Sequence, residues 1–352
     1  MKKLLAALLV LAMLLMGVAA LAEEEGHELA LVTDVGNIDD QSFNQSSYEG
    51  MVAFAEENGL TYAYYRPSED STDARVESMR AAVENGAKVI VCPGYLFEDS
   101  VYLVQDEYPD VNFLLLDGEP HSADYAEYKT AANTHCILYR EEQAGFFAGY
   151  AAVKEGYTEL GFAGGMAVPA VIRFGYGFIQ GADAAAQELG VNANVKFWFA
   201  DSFAPSDDIK TKAASWYTEG TEVIFSCGGS IFDSITAAAA ANDAYVIGVD
   251  VDQSFSSDTV ITSALKGIGE AAYLALTAAY DGTWAETYGN QCVTMGAAQG
   301  AVGLPVETWS LENWSVEEYE DMFQKIVAGE IAIDNDFTNL GSTEHVALNI
   351  VE

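Results

Sequence analysis

Basic residues are scarce in this chain: 15 Lys and Arg stand against 54 Asp and Glu in 352 residues. Nucleic acid and anionic membrane surfaces repel a protein so charged, so both are excluded as partners. Metal-binding signatures are equally thin. The four histidines (27, 121, 135 and 345) and four cysteines (92, 136, 227 and 292) form no spaced cluster and no C-x-x-C. The acids are dispersed and make no calcium loop. Neither a metal nor a cofactor is expected. The chain also lacks G-x-S-x-G, a P-loop, H-E-x-x-H, and G-x-G-x-x-G after a strand, which argues against an enzyme. Asp39 and Asp40 are adjacent on an extended turn. They therefore point apart rather than pairing as acid and base.

Long apolar runs are lacking apart from residues 4–18, which follow Lys2 and Lys3 and precede the small-x-small site Ala20-Leu21-Ala22. This pattern predicts an export signal over residues 1–22, cleaved after Ala22, and is too short for a good membrane anchor. No cysteine precedes Cys92, so no lipobox cysteine is available and a soluble exported protein is expected. Lys2 and Lys3 lie inside the signal, so residues 23–352 hold 13 basic and 54 acidic residues, a formal charge of −41. Cys92 and Cys227 end apolar runs and read as small core residues. An exported protein admits a disulfide, and the spacing leaves the pairing open.

Short apolar runs alternate with helical stretches. Strands are predicted at 29–33, 60–65, 88–92, 111–116, 160–163, 195–199, 222–227 and 245–249. Helical patterns cover 42–58, 73–85, 139–154, 206–219 and 230–242. Continuous apolar strands separated by helices indicate parallel sheets covered on both faces. The pattern runs once and repeats after the helix at 139–154, which predicts two similar α/β lobes. Their strand C-terminal ends should face a common cleft. Those ends carry Asp34, Gly94, Asp117, Gly164-Gly165, Gly228-Gly229, Asp250 and Asp252. Glycines there allow close backbone approach to a ligand.

The most informative segment is residues 34–50, DVGNIDDQSFNQSSYEG, a strand-to-helix turn bearing Asp34, Asp40, Asn44 and one aromatic, Phe43. Open α/β sheets bind ligands at such turns. Carboxylates and amides can bond hydroxyls and base edges, and an aromatic face can stack on a flat ring. From local chemistry alone it reads equally as an acidic loop with Phe43 packed inward. The segment resembles the signature of the basic membrane protein family, the purine nucleoside receptor-like (PnrA-like) substrate-binding proteins of ABC importers. Four further stretches match in order: residues 139–149 (YREEQAGFFAG); 162–166 with Arg173-Phe174 and 177–181; 246–253 (VIGVDVDQ); and 261–266 (ITSALK).

The resemblance implies the two-lobe type I periplasmic-binding-protein fold, each lobe a parallel sheet sandwiched by helices. Lobe 1 would hold 23–136 and 264–305, and lobe 2 would hold 137–263 and 306–352, with hinge closure on the ligand. It implies a monomer that carries a small molecule, probed first as a purine nucleoside, to an ABC permease and its ATPase. Phe43 would stack on the base. Asp34, Asp40, Asn44 and Asp117 would bond its polar edge or fix the site, Asp250 would grip the ribose hydroxyls, and Gly229 and Lys266 would add donors. A second stacking aromatic is implied, for which Phe174, Phe225, Phe232 and Trp198 compete, with Phe174 carried as the candidate. Lys266 reads either as a ligand donor or as a salt-bridge partner of a neighbouring acid. The alternatives are a binding protein for another small polar solute such as a sugar, an exported ligand sensor, and an enzyme of nucleoside metabolism.

Overall fold

A computed structural model describes residues 26–351; the predicted export signal and its cleavage site lie outside the described residues. The chain begins β1 (Leu29–Val32), α1 (Phe43–Asn58), β2 (Tyr62–Tyr65), α2 (Thr72–Glu84), β3 (Val89–Pro93), α3 (Glu98–Val104), β4 (Asn112–Leu116) and β5 (Thr134–Tyr139). It continues α4 (Glu141–Lys154), β6 (Glu159–Gly164), α5 (Pro169–Leu189), β7 (Ala193–Phe199), α6 (Asp207–Thr218), β8 (Val223–Cys227), α7 (Ile231–Ala240), β9 (Tyr245–Asp250) and β10 (Val260–Lys266). The last part is α8 (Ile268–Asp281), α9 (Trp284–Thr287), β11 (Gln291–Met295), β12 (Val302–Gly303), α10 (Val316–Val327) and β13 (Val346–Ile350).

These strands form two sheets. The first has the order β11-β5-β4-β3-β1-β2 and is parallel throughout. The second has the order β12-β10-β9-β8-β6-β7-β13, parallel except where β12 runs against β10. Alternation within the strands explains why both faces are covered. In β1, Leu29 and Leu31 join one apolar cluster, with Val89, Val91, Leu114 and Leu116. Ala30 and Val32 join another on the opposite face, with Ile90, Cys92, Phe113 and Leu115. The second sheet is likewise flanked by two clusters. Among the described residues, no helix is long and apolar enough to cross a membrane.

The chain changes sheet three times, and each change differs from the expected boundary. Residue 136 lies inside β5 and residue 263 inside β10, because both strands run on to deliver Tyr139 and Lys266 to the cleft end. The third change falls before β12, ahead of residue 306. The first and third connections touch: the Arg140 N–H donates to the Met295 carbonyl at 2.8 Å. Several elements had no place in the predicted pattern, notably β5, α5, α8 and the edge strands β11 and β13. β13 is exposed along Ala347–Ile350, so it lacks the apolar run that marks a buried strand.

The glycine-bearing stretches at 139–149 and 177–181 have a packing function. Their glycines lie in α4 and α5, which pack backbone against backbone. A methyl group built on Gly149 would overlap the Phe178 carbonyl; one on Gly181 would overlap that of Phe146, and one on Gly145 that of Phe174. Small residues spaced four apart are what allow helices this close an approach. All four cysteines are free thiols, and Cys92, Cys136 and Cys227 are buried.

Candidate ligand-binding cleft

The C-terminal ends of both sheets open onto one cavity of about 980 Å³, and all nine predicted site residues line it. Lobe 1 supplies Asp34, Asp40, Phe43, Asn44 and Asp117, and the second sheet and its helices supply Phe174, Gly229, Asp250 and Lys266. Their roles in the architecture differ.

Asp40 is committed to the backbone. Its carboxylate accepts from the N–H groups of Ser42 (2.9 Å), Asn44 (3.0 Å) and Gln45 (3.0 Å), and from Asn44 Nδ2 (3.2 Å). It thus satisfies the open N–H groups that begin α1, which sets Phe43 and Asn44 at the cavity wall. The reading of Asp40 as a direct ligand donor is therefore corrected: its lone pairs are already engaged. Asn44 keeps a buried Oδ1 with no partner. Asp34 accepts from Gly36 N–H at 2.7 Å, and burial raises its carboxyl to about 6.

Asp117 directly follows β4 in left-handed backbone, φ +60. It and Glu141, the first residue of α4, share the Lys266 ammonium, at 2.5 Å to Asp117 Oδ2 and 2.8 Å to Glu141 Oε1. Glu141 also receives Arg173 Nε at 2.6 Å. Burial opposes the charge on Lys266, yet Asp117, Glu141 and Asp250 together hold it protonated well above the ordinary lysine value. Burial is also the main cause lifting Asp117 to about 6, against the pull of Lys266. Asp117 Oδ1 and the Tyr139 hydroxyl are buried without partners, and of the two residues Asp117 lines the cavity. An unsatisfied buried group facing a cavity is a place where an incoming donor gains most. The salt-bridge reading of Lys266 is thus realised, within the cavity wall itself.

Asp250 ends β9, also left-handed at φ +67. The Ser42 hydroxyl donates to it at 2.5 Å, and burial raises its carboxyl to about 7. Gln253 Nε2 donates to the Gln41 carbonyl at 2.8 Å. These two bonds join the loop before α1 to the second sheet, so the lobes meet across this side of the cavity. Gly229 has φ +53, and a Cβ there would rest in ordinary contact with Phe203 and Asp40, so it is the left-handed backbone that a side chain would strain.

Of the four competing aromatics, Phe174 alone is in the cavity wall, although it is 2% exposed and packs edge-on against Phe225 in the same core cluster. Phe225 and Phe232 are packed in the cores of lobe 2, and Trp198 packs edge-on against Trp216. The Lys266 ammonium lies 5.2 Å from the Phe43 ring, 5.7 Å from Phe174 and 4.7 Å from Tyr139. Two rings from different lobes therefore bound the same space. Glu141 and Arg173 stand in the matching stretches without a role of their own. The scarcity of basic residues in the chain is a signal that points to Arg173 as much as to Lys266. The loop after β4 reaches further than its strand end: beyond Asp117 and Glu119 it adds His121, Tyr125 and Tyr128 to the cavity wall, with His121 stacked on Tyr125 at 4.0 Å.

Acids outnumber bases in the lining, and its Arg173 and Lys266 are already paired with acids. Such a cleft disfavours phosphates and suits a neutral molecule rich in donors with a flat face. Among the described residues, no three His, Cys, Asp or Glu side chains gather to hold a metal ion.

Comparison with known proteins agrees with this architecture. The family model described as "ABC transporter substrate-binding protein PnrA-like" matches residues 27–336. Basic membrane protein B of Borreliella burgdorferi is 31% identical over 287 residues, 79% of this chain and 80% of that protein. The ABC transporter nucleoside-binding protein BmpA of Lactococcus lactis is 27% identical over 306 residues, 80% of this chain and 82% of that protein. Among solved structures, an ABC transporter solute-binding protein from Aeropyrum pernix superposes with a TM-score of 0.73 at 24% identity. The superposition covers 86% of this chain and 92% of the other.

Proposed function

The chain belongs to the PnrA-like family of ABC transporter substrate-binding proteins, and on that premise we propose that it binds a purine nucleoside in the cleft between its lobes. The family is extracytoplasmic, binds small molecules rather than transforming them, and works with a permease and its ATPase. The observation that carries the nucleoside reading is the pair of rings, Phe43 and Phe174, that bound one space beside Lys266. A flat base fits between such rings by stacking.

Asn44 Oδ1 and Asp117 Oδ1, both buried without partners, accept from the polar edge of the base. Asp250 accepts from the ribose hydroxyls, with Gly229 offering backbone beside it. Asp34 and Lys266 fix the polarity of the wall, and Asp40 acts through α1 by placing Phe43 and Asn44. The acidic lining selects nucleosides over nucleotides. The name of the Lactococcus relative, a nucleoside-binding protein, supports this assignment. Delivery would follow from export, which the pattern of residues 1–22 supports, with cleavage after Ala22.

A thermal-shift panel of purine and pyrimidine nucleosides, nucleotides, bases and sugars tests the proposal. A ligand that binds only the native state raises the melting temperature by mass action. Purine nucleosides should raise it, and the matching nucleotides should raise it less. A shift with sugars and none with nucleosides would replace the reading with a sugar-binding one, which the carboxylates at Asp34, Asp117 and Asp250 also suit.

A further inference from the structure

We propose that Cys136 and Cys292 form a disulfide that staples the two hinge-proximal strands of lobe 1. The two residues stand opposite each other in the parallel pair of β5 and β11. Neighbouring strands lie about 4.8 Å apart, inside the Cα separation of about 4.4–6.8 Å that a disulfide spans. Their side chains share one face of the sheet, Cys136 in the buried cluster and Cys292 packed against it.

No other pairing competes. Cys92 lies on the same face in β3, but β4 intervenes, which places it about two strand spacings, or about 9.6 Å, from Cys136. Cys227 belongs to the other sheet. The family's extracytoplasmic setting is one in which disulfides form and persist.

The roles of the two thiols are unequal. Cys136 is fully buried and Cys292 is half-buried on the edge strand, so Cys292 is the one an oxidant reaches. Its thiolate attacks the disulfide of a thiol oxidase or of oxidised glutathione, forming a mixed disulfide and expelling one thiolate. The Cys136 thiol then gives up its proton and attacks Cys292 Sγ, expelling the second. Two protein thiols are oxidised to one disulfide, and one oxidant disulfide is reduced to two thiols.

The bond would close a loop from 136 to 292, which contains all of β6 to β10. A cross-link over so long a loop removes much of the unfolded chain's freedom. Both cysteines lie on one side of the hinge, just before the connections joined by the Arg140–Met295 hydrogen bond. The staple therefore stabilises lobe 1 and leaves the closing motion free.

The test compares the purified protein after treatment with oxidised glutathione and after reduction. Free thiols are alkylated and peptides read by mass spectrometry. The expected result is one linkage, Cys136 to Cys292, lighter by two hydrogens, with Cys92 and Cys227 alkylated. The oxidised form should melt several degrees higher than the reduced form and bind its ligand, or in its absence 8-anilinonaphthalenesulfonate, unchanged. Cys292→Ser, at a half-buried position that tolerates the change better than Cys136, should abolish the redox-dependent shift. Alkylation of both cysteines after oxidation, a glutathione adduct or a Cys292-linked dimer in place of the internal bond, or an internal bond without a rise in melting temperature, would each overturn the proposal.

Discussion

Replacing Lys266 by Met should produce a pH-dependent loss of stability whose direction is fixed by Asp117. Lys266 is 1% exposed and its partners Asp117 and Glu141 are 11% and 0% exposed at the side chain. Removing one member of a buried ion pair typically costs about 3–5 kcal/mol, because a charge is left uncompensated. Glu141 keeps Arg173, so the burden falls on Asp117. A stranded carboxylate neutralises rather than remaining charged. Asp117 already titrates at about 6 with the lysine present, and losing the lysine moves it higher.

The sign follows from linkage. A carboxyl whose folded-state value exceeds its unfolded one binds more protons when folded, so stability rises as pH falls through the folded value. The penalty in Lys266→Met should thus be largest, about 3–5 kcal/mol, near pH 8. It should shrink toward pH 5, at about 1.4 kcal/mol for each pH unit over which only the folded state is protonated. Adding Asp117→Asn should recover part of the loss at pH 8 and little at pH 5. Urea denaturation of the three proteins at several pH values measures this. A penalty constant from pH 5 to 8, or no recovery in the double variant, would refute Asp117 as the stranded group.

Phe43→Ala should weaken nucleoside binding by about 1–3 kcal/mol, the range for base–aromatic stacking, with a smaller effect on the melt because the ring is only half-buried; titration calorimetry and denaturation on the same variant separate the two. Asp250→Ala should cost more affinity against ribonucleosides than against 2′-deoxyribonucleosides, and equal losses would show that the carboxylate ignores the 2′ position. In the unmodified protein Asp250 titrates at about 7. Ribonucleoside affinity should therefore fall as pH drops below that value, while its contribution to unliganded stability rises; Asp250→Asn should remove that part of both trends. Gly149→Ala and Gly181→Ala decide between two opposed effects: helix propensity alone favours alanine by about 1 kcal/mol, whereas the overlap with the Phe178 and Phe146 carbonyls should destabilise by about 1–3 kcal/mol. A higher melting temperature in either variant would contradict the packing described for α4 and α5.

The inner strands were legible because they are short apolar runs buried on both faces, as at β1, β3, β4 and β8. The edge strands were not, because β13 and β11 carry exposed or half-buried side chains that break the apolar run. β5 was obscured since Tyr139 had been assigned to the following helix, although it is the last residue of the strand. At the site, single residues at strand ends could be named because loops after parallel strands converge by geometry. Their partners could not. Nothing local says that residues 117, 141, 173 and 266 meet around one ammonium. The misassignment of Asp40 has a local remedy: an acid shortly before a helix should be weighed as an anchor for its first N–H groups before it is counted as a ligand donor. Four aromatics were indistinguishable as text, and only side-chain direction picks out Phe174.

The seam between α4 and α5 bears on how this cleft could change over evolutionary time. Glu141 begins α4, and Arg173 and Phe174 lie near the start of α5, so the glycine-to-carbonyl contacts fix where all three stand relative to one another. Neither helix can slide or rotate by a residue without driving a glycine's neighbour into a carbonyl. New ligand preferences on this wall must therefore arise by replacing a side chain outright, since gradual drift of its backbone is blocked. The loops after β4 and β7, which supply Tyr125, Tyr128 and Phe203 to the same cavity, carry no such lock. Divergence in specificity among relatives should concentrate there, with the seam as the inherited frame.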